Sequence, residues 1–269
     1  MSNIFAPPSA RFRACRRRAR RSCAPPFACD FLLRIGYDAR VIPLRDENPA
    51  ELRPFVTVSL LAACVLAFLW QISGGADGHT LSVYRLGVIP AALLGDARLP
   101  PEMAAAAPAA TVFTSMFLHG GWMHLIGNML YLWIFGNNIE DAMGHVRFLI
   151  FYLICGIAAV LAQALPDPDS TIPMVGASGA ISGILGAYLL LFPHARVLVL
   201  VPLGYYTRLM HIKAAWALGL WFLFQVLSSI NVDTSSGGVA FGAHIGGFIA
   251  GMALVPLFKR RSFKLLART

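Results

Sequence analysis

Charge is what this sequence lacks. Only 13% of its 269 residues are Asp, Glu, Lys or Arg, about half the share in an ordinary soluble domain. Too little charge is present to clothe a water-facing surface. Acids are scarcest: 13 Asp and Glu stand against 22 Lys and Arg, and the first acid in the chain is Asp30. The chemistry that such groups would serve is missing with them. Of five cysteines, Cys15, Cys23 and Cys29 sit in an Arg-rich head and Cys64 and Cys155 inside apolar runs. No C-x-x-C occurs, so unpaired thiols without a redox or metal role are expected. His119 and His124 are five residues apart and neither is followed by Glu. That excludes the H-E-x-x-H zinc helix, and no acidic third ligand lies in a neighbouring apolar run. No metal and no other cofactor is expected. Nor does the formal net charge of +9 point to nucleic acid. The basic residues cluster at the two ends and in short loops, not along one face with interleaved aromatics.

What the sequence has instead is apolar length. Hydrophobic residues make up 57% of it, and its mean hydropathy is +0.66. Crossing a bilayer as helix takes about 20 mostly apolar residues, and six candidate runs are present: 55–72, 122–137, 146–165, 176–192 (extending toward Val201), 212–230 and 239–258. The expected fold is all-α, a six-helix polytopic membrane bundle over 55–258. Residues 41–54 form a lead-in, 73–118 a long outer loop, and 259–269 a basic tail. Twenty of the 22 basic residues fall before the first run, after the second, after the fourth or in the tail, leaving Arg85 and Arg98 on the other side. By the positive-inside rule both termini are cytoplasmic. The loops with Asp167, Asp169 and Asp233 face outward. Residues 1–40, with "RFRACRRRARR", fit an organellar presequence, a lipid-binding arm or an extension foreign to the domain.

Within the apolar runs a few groups can do chemistry. The stretch "MVGASGAISG" at 174–183 sets the hydroxyl of Ser178 among small residues. His119, His124 and His244 lie at or inside apolar helices, where an ionisable group is costly and marks function by default. Ser178 is followed by Gly179, Gly183 and Gly186, and His244 lies among Gly242, Gly246 and Ala250. Two faces this smooth allow close helix packing, which would bring His244 within hydrogen-bond reach of the serine, as activation of a nucleophile requires. The plainer alternative is that the two are interhelical hydrogen-bond partners and nothing more. "HLIGN" sets His124 and Asn128 at i and i+4 on one helical face. With the Ser178 N–H at a helix start they would supply donors for an oxyanion. No carboxylate lies near, which favours a Ser–His dyad over a triad.

These residues resemble the rhomboid intramembrane serine proteases over about Val41 to Phe258. G-x-S-G is Gly176, Ala177, Ser178 and Gly179; H-x-x-x-N is His124 and Asn128, with His119 upstream; "GAHIGG" frames His244 between Gly242 and Gly246; and E-x-x-x-G-x-x-x-F is Glu140, Gly144 and Phe148. "VIPLRDENP" at 41–49 matches the lead-in of many bacterial members. The resemblance implies a bacterial inner-membrane endopeptidase that cleaves single-span transmembrane proteins at a site open to the outer side. Ser178 would be the nucleophile and His244 the general base and acid. His124, Asn128 and the Ser178 N–H would hold the oxyanion, with Glu140 and Gly144 structural. The fifth helix would flank the substrate's entry. Two departures stand out. Ala110 and Thr111 occupy the places of a Trp–Arg loop anchor. Ser182 stands where many members have an aromatic packed on the catalytic imidazole, so another side chain must orient His244. The rival functions are a catalytically silent rhomboid-like protein that binds membrane clients, and a transporter. The first usually loses the serine or the histidine, and the second would show internal repeats with broken helices.

Overall fold

The computed structural model describes residues 42–95, 97–100, 103, 105–203, 206–230 and 238–266. The Arg-rich head, Asp233 and the last three tail residues lie outside them. The elements run β1 (Ile42–Asp46), α1 (Phe55–Ser73), α2 (Gly75–Leu86), α3 (Pro90–Leu93), α4 (Pro108–Thr114), a 3-10 turn (Ser115–Phe117), α5 (Trp122–Met143), α6 (His145–Ala164), α7 (Ser178–Leu191), β2 (Arg196–Leu203), β3 (Tyr206–Lys213), α8 (Ala214–Ile230) and α9 (Phe241–Phe258). Apart from the last two residues of β2 and the first two of β3, all of these lie in one compact unit.

The chain is mostly helical but not all-α. The expected continuation of the fourth helix toward Val201 is a strand. Pro193 cannot continue the helix that ends at Leu191, and the alternating "RVLVLV" that follows suits a half-buried strand: Val197 and Val199 are buried. β2 pairs antiparallel with β1 from Ile42↔Leu200 to Asp46↔Val197, with an irregularity between Pro43 and Arg45, and the sheet order is β1-β2-β3. Ile212 and Lys213 therefore belong to β3, not to the fifth helix.

The second helix outruns its apolar stretch, reaching Met143 because its polar end is satisfied by distant partners. Asn138 Nδ2 donates to Asp46 Oδ2 at 2.6 Å, and Asp141 pairs with Arg260 at 2.6 Å. The fully buried Glu140 accepts the backbone N–H groups of Val56 and Thr57, both at 2.8 Å, and the Thr57 hydroxyl at 2.7 Å. Those are first-turn donors of α1 that no intrahelical carbonyl can serve, so one carboxylate ties two helices together. Gly144, at φ +80°, makes the corner between α5 and α6. Tyr188 OH also reaches Asp46 Oδ2, at 2.8 Å. Burial pushes the Asp46 carboxyl above the usual carboxylate range, against the pull of these two hydrogen bonds.

Among the described residues three helices, α1, α6 and α9, are long and apolar enough to cross a membrane, and α7 and α8 are shorter apolar helices. Large apolar side chains stay exposed around them, among them Leu66, Ile126, Trp133, Val146, Trp216 and Leu223. Exposed apolar surface on this scale marks a contact with lipid or protein, and with the apolar helices it identifies an integral membrane protein.

At the centre lies α7, with eleven of its 14 residues buried. α9 seats itself in the groove between α6 and α7. The glycines that permit this are only in part those expected. A Cβ on Gly247 would run into the Gly179 carbonyl and one on Gly251 into the Gly183 carbonyl, whereas Gly242 and Gly246 face Gln163 and Ala162 of α6. Two smooth faces of α9 are needed because it touches two neighbours at backbone distance.

Candidate active site

The N-termini of α5, α7 and α9 converge at the end of the bundle away from the sheet. Between them lies a cavity of about 1130 Å³ whose lining includes His124, Asn128, Ser178, Ser182, Trp221 and His244. Ser178 is the first residue of α7. It is presented there by Gly176, whose φ of +130° few other residues adopt. A Cβ on Gly176 would lie 2.7 Å from His124 Nε2 and 3.6 Å from Ser178 Oγ, so imidazole and hydroxyl both border a residue that has to be glycine. The Gly176 N–H donates to the Ser115 carbonyl at 2.9 Å, which anchors this turn to the long loop.

The protonation of His124 follows from its partner. The Gly120 N–H donates to His124 Nδ1 at 3.3 Å, so Nδ1 offers a lone pair and the neutral ring carries its proton on Nε2. That N–H points at the space beside Ser178. One turn further along, Asn128 is buried and its Nδ2 has no hydrogen-bond partner among the described residues. A buried donor without an acceptor is costly, and this one lines the cavity. His119 is fully buried, with its ring 5.2 Å from that of His124, edge to face. It is not among the lining residues. Its N–H donates to Gln71 Oε1 at 3.0 Å and its carbonyl accepts from His79 Nε2 at 3.0 Å, which braces the ring against which His124 rests.

His244 lies in the first turn of α9. Among the described residues no hydrogen bond joins it to Ser178. Its Nδ1 is 2.7 Å from Gln225 Oε1 of α8, and the Trp221 ring lies 5.9 Å from the imidazole, tilted by 35°. The aromatic place left vacant at Ser182 is thus taken from another helix. Ser182 itself donates from Oγ to the Ser178 carbonyl at 2.7 Å. Glu140 and Gly144 lie far along α5 and do not reach the cavity. Gln225, Trp221 and Gln163, whose Oε1 accepts the Ala243 N–H at 3.1 Å, are the site residues that sequence reasoning missed. A signal was available for both glutamines: each is a lone amide inside an apolar helix, a setting in which polar groups are rarely idle.

Of the expected site residues, the structure brings Ser178, His124, Asn128, His244, Gly176 and Gly242 to one cavity or its rim. His119 and Gly179 lie behind it. Such an arrangement offers a hydroxyl at a helix start, one ring that donates, one ring with a free nitrogen and an unpaired amide, which are the parts of an acyl-transfer site.

Comparisons with known proteins point to one family. Residues 107–261 match the family model described as a Rhomboid domain. "Rhomboid protease GluP" of Bacillus subtilis is 32% identical over 75% of this chain and 35% of its own length. "Rhomboid-like protease 5" of Toxoplasma gondii is 34% identical over 52% of this chain and 15% of its own. "Rhomboid protein 1, mitochondrial" of Saccharomyces cerevisiae is 30% identical over 53% and 40%. The chain spans well under two thirds of each of these relatives.

Proposed function

Because the chain belongs to the rhomboid family, we propose that it is an intramembrane serine endopeptidase that cleaves transmembrane protein substrates with Ser178 and His244. The observation that carries this reading is that Ser178, His124, Asn128 and His244 line one cavity, with Ser178 Oγ and His124 Nε2 both bordering Gly176. In the first step Oγ bonds to the scissile carbonyl carbon while its proton passes to His244 Nε2. The carbonyl electron pair moves onto oxygen, where His124 Nε2–H, Asn128 Nδ2–H and the Ser178 N–H receive it. Collapse then breaks the C–N bond, the imidazolium protonates the leaving amine, and water repeats the sequence to free the acid. Among the described residues no hydrogen bond joins Ser178 to His244, and catalytic hydrogen bonds often tighten only once substrate is bound.

The same reading has α1, α5, α6, α7, α8 and α9 crossing the bilayer, both termini cytoplasmic and the cavity opening outward, in a bacterial inner membrane. Gly144 and Glu140 serve the α5–α6 corner. Purified protein in detergent, given a panel of single-span substrates and a fluorophosphonate probe, tests it. Cleavage and labelling, both lost in Ser178→Ala, are expected. Folded protein that neither cleaves nor labels, yet retains bound single-span clients, would favour the silent client-binding alternative.

A further inference from the structure

His244 can serve as a base only if its Nε2 is unprotonated, and something must choose that tautomer. Nothing on α7 does so: Ser182 is turned to the Ser178 carbonyl. The choice comes from α8. Gln225 Oε1 lies 2.7 Å from His244 Nδ1, and a carbonyl oxygen can only accept, so Nδ1 carries the proton and Nε2 presents its lone pair to the cavity. The height of the amide is set by two i, i+4 pairs lying side by side. Trp221 and Gln225 on α8 face His244 and Phe248 on α9. Trp221 rests on the imidazole, and the neighbouring Phe222 stacks on the buried Phe248 at 4.4 Å with the planes 20° apart. The two imidazoles therefore have opposite tautomers from opposite partners. A backbone N–H at Nδ1 makes His124 a donor at Nε2, and an amide oxygen at Nδ1 makes His244 an acceptor there.

We propose that Gln225 is a positioning residue for catalysis, acting through His244 as the third member of a Ser178–His244–Gln225 relay. The inference rests on the dyad reading above. A neutral amide suits the setting, because a carboxylate in the same place would bring an unpaired charge into an apolar helix. Orientation is achieved without that cost.

The test compares Gln225→Met, close in length but without an acceptor, with Gln225→Glu, which keeps one; Gln225→Ala replaces the former if methionine crowds the site. In the methionine variant kcat and the rate of fluorophosphonate labelling should fall together by about 10–100-fold, less than the roughly 10²–10⁴-fold that an acid–base group itself contributes. KM should stay within about twofold and the melting temperature should hold, and Gln225→Glu, whose carboxyl oxygen still accepts at Nδ1, should recover most of the labelling rate at some cost in melting temperature. Wild-type kcat and labelling in Gln225→Met, with His244→Ala inactive, would overturn the role of Gln225 and leave the dyad standing. A loss that follows falling stability and rising KM, without recovery in Gln225→Glu, would reduce Gln225 to a packing residue. Full activity in His244→Ala would instead remove the dyad itself.

Discussion

The seam between α7 and α9 and the surface of α8 are built on opposite principles. Along the seam small residues let backbones touch, and eleven of the 14 residues of α7 are buried. On α8 only Ala214 and Leu218 are buried among 17 residues, and large side chains such as Leu220, Leu223, Phe224 and Leu227 stay exposed. Yet His244, the proposed base, stands between the two: its backbone belongs to the seam, and its ring is held from α8. A rigid seam fixes where the imidazole begins, while a helix with few buried contacts, the kind that opens most readily, controls how the ring is turned. The substrate of a membrane protease must arrive from the lipid side. On the proposed function, the element best suited to make way for it is thus also the one that sets the base.

Several changes would break or sharpen that contrast. The largest effect belongs to the reacting pair: Ser178→Ala and His244→Ala should each abolish cleavage, and the double variant should be no worse than either single one, because groups acting as a unit do not add. Removing an oxyanion donor comes next. His124→Ala or Asn128→Ala should lower kcat by about 10²–10³, or roughly 2.7–4 kcal/mol, with slow probe labelling retained. Loss of labelling in His124→Ala but not in His244→Ala would exchange the roles assigned to the two rings.

Stability should separate the two regions directly. Gly247→Leu forces a side chain against the Gly179 carbonyl and should cost about 1–3 kcal/mol or more, as overpacking does. Leu223→Ala on the exposed face of α8 should change detergent melting by less than about 0.5 kcal/mol, as substitutions away from packed features do. Comparable losses at both positions would erase the distinction.

The smallest effect is expected at the sheet end. The folded state holds the Asp46 proton more tightly than the unfolded chain does. Its contribution is therefore full at acid pH and is lost as pH rises from about 4 through the raised value. Asp46→Asn should lose less stability than the wild type over that window, as read from melting temperature against pH.

Much of this protein was legible before any fold was known. Scarce charge and long apolar runs imply a membrane bundle, because water offers no stable state to such a surface. Ser178, His124, Asn128 and His244 stood out as candidates because a polar group inside an apolar helix needs a reason to be there. Helical periodicity also puts Trp221 with Gln225, and His244 with Phe248, on shared faces. What periodicity cannot state is which face meets which neighbour. Gly242 and Gly246 were expected to receive α7, yet they serve α6, and Gly247 and Gly251 meet α7 instead. "RVLVLV" read as a continued helix until β1 supplied the hydrogen bonds that a strand needs from more than 150 residues away. Gln225 is an ordinary amide until the stacking of Phe222 on Phe248 brings it level with His244. Local patterns follow from each helix's own geometry. Pairings follow from which surfaces lose least by coming together, and that comparison exists only when all the helices are packed at once.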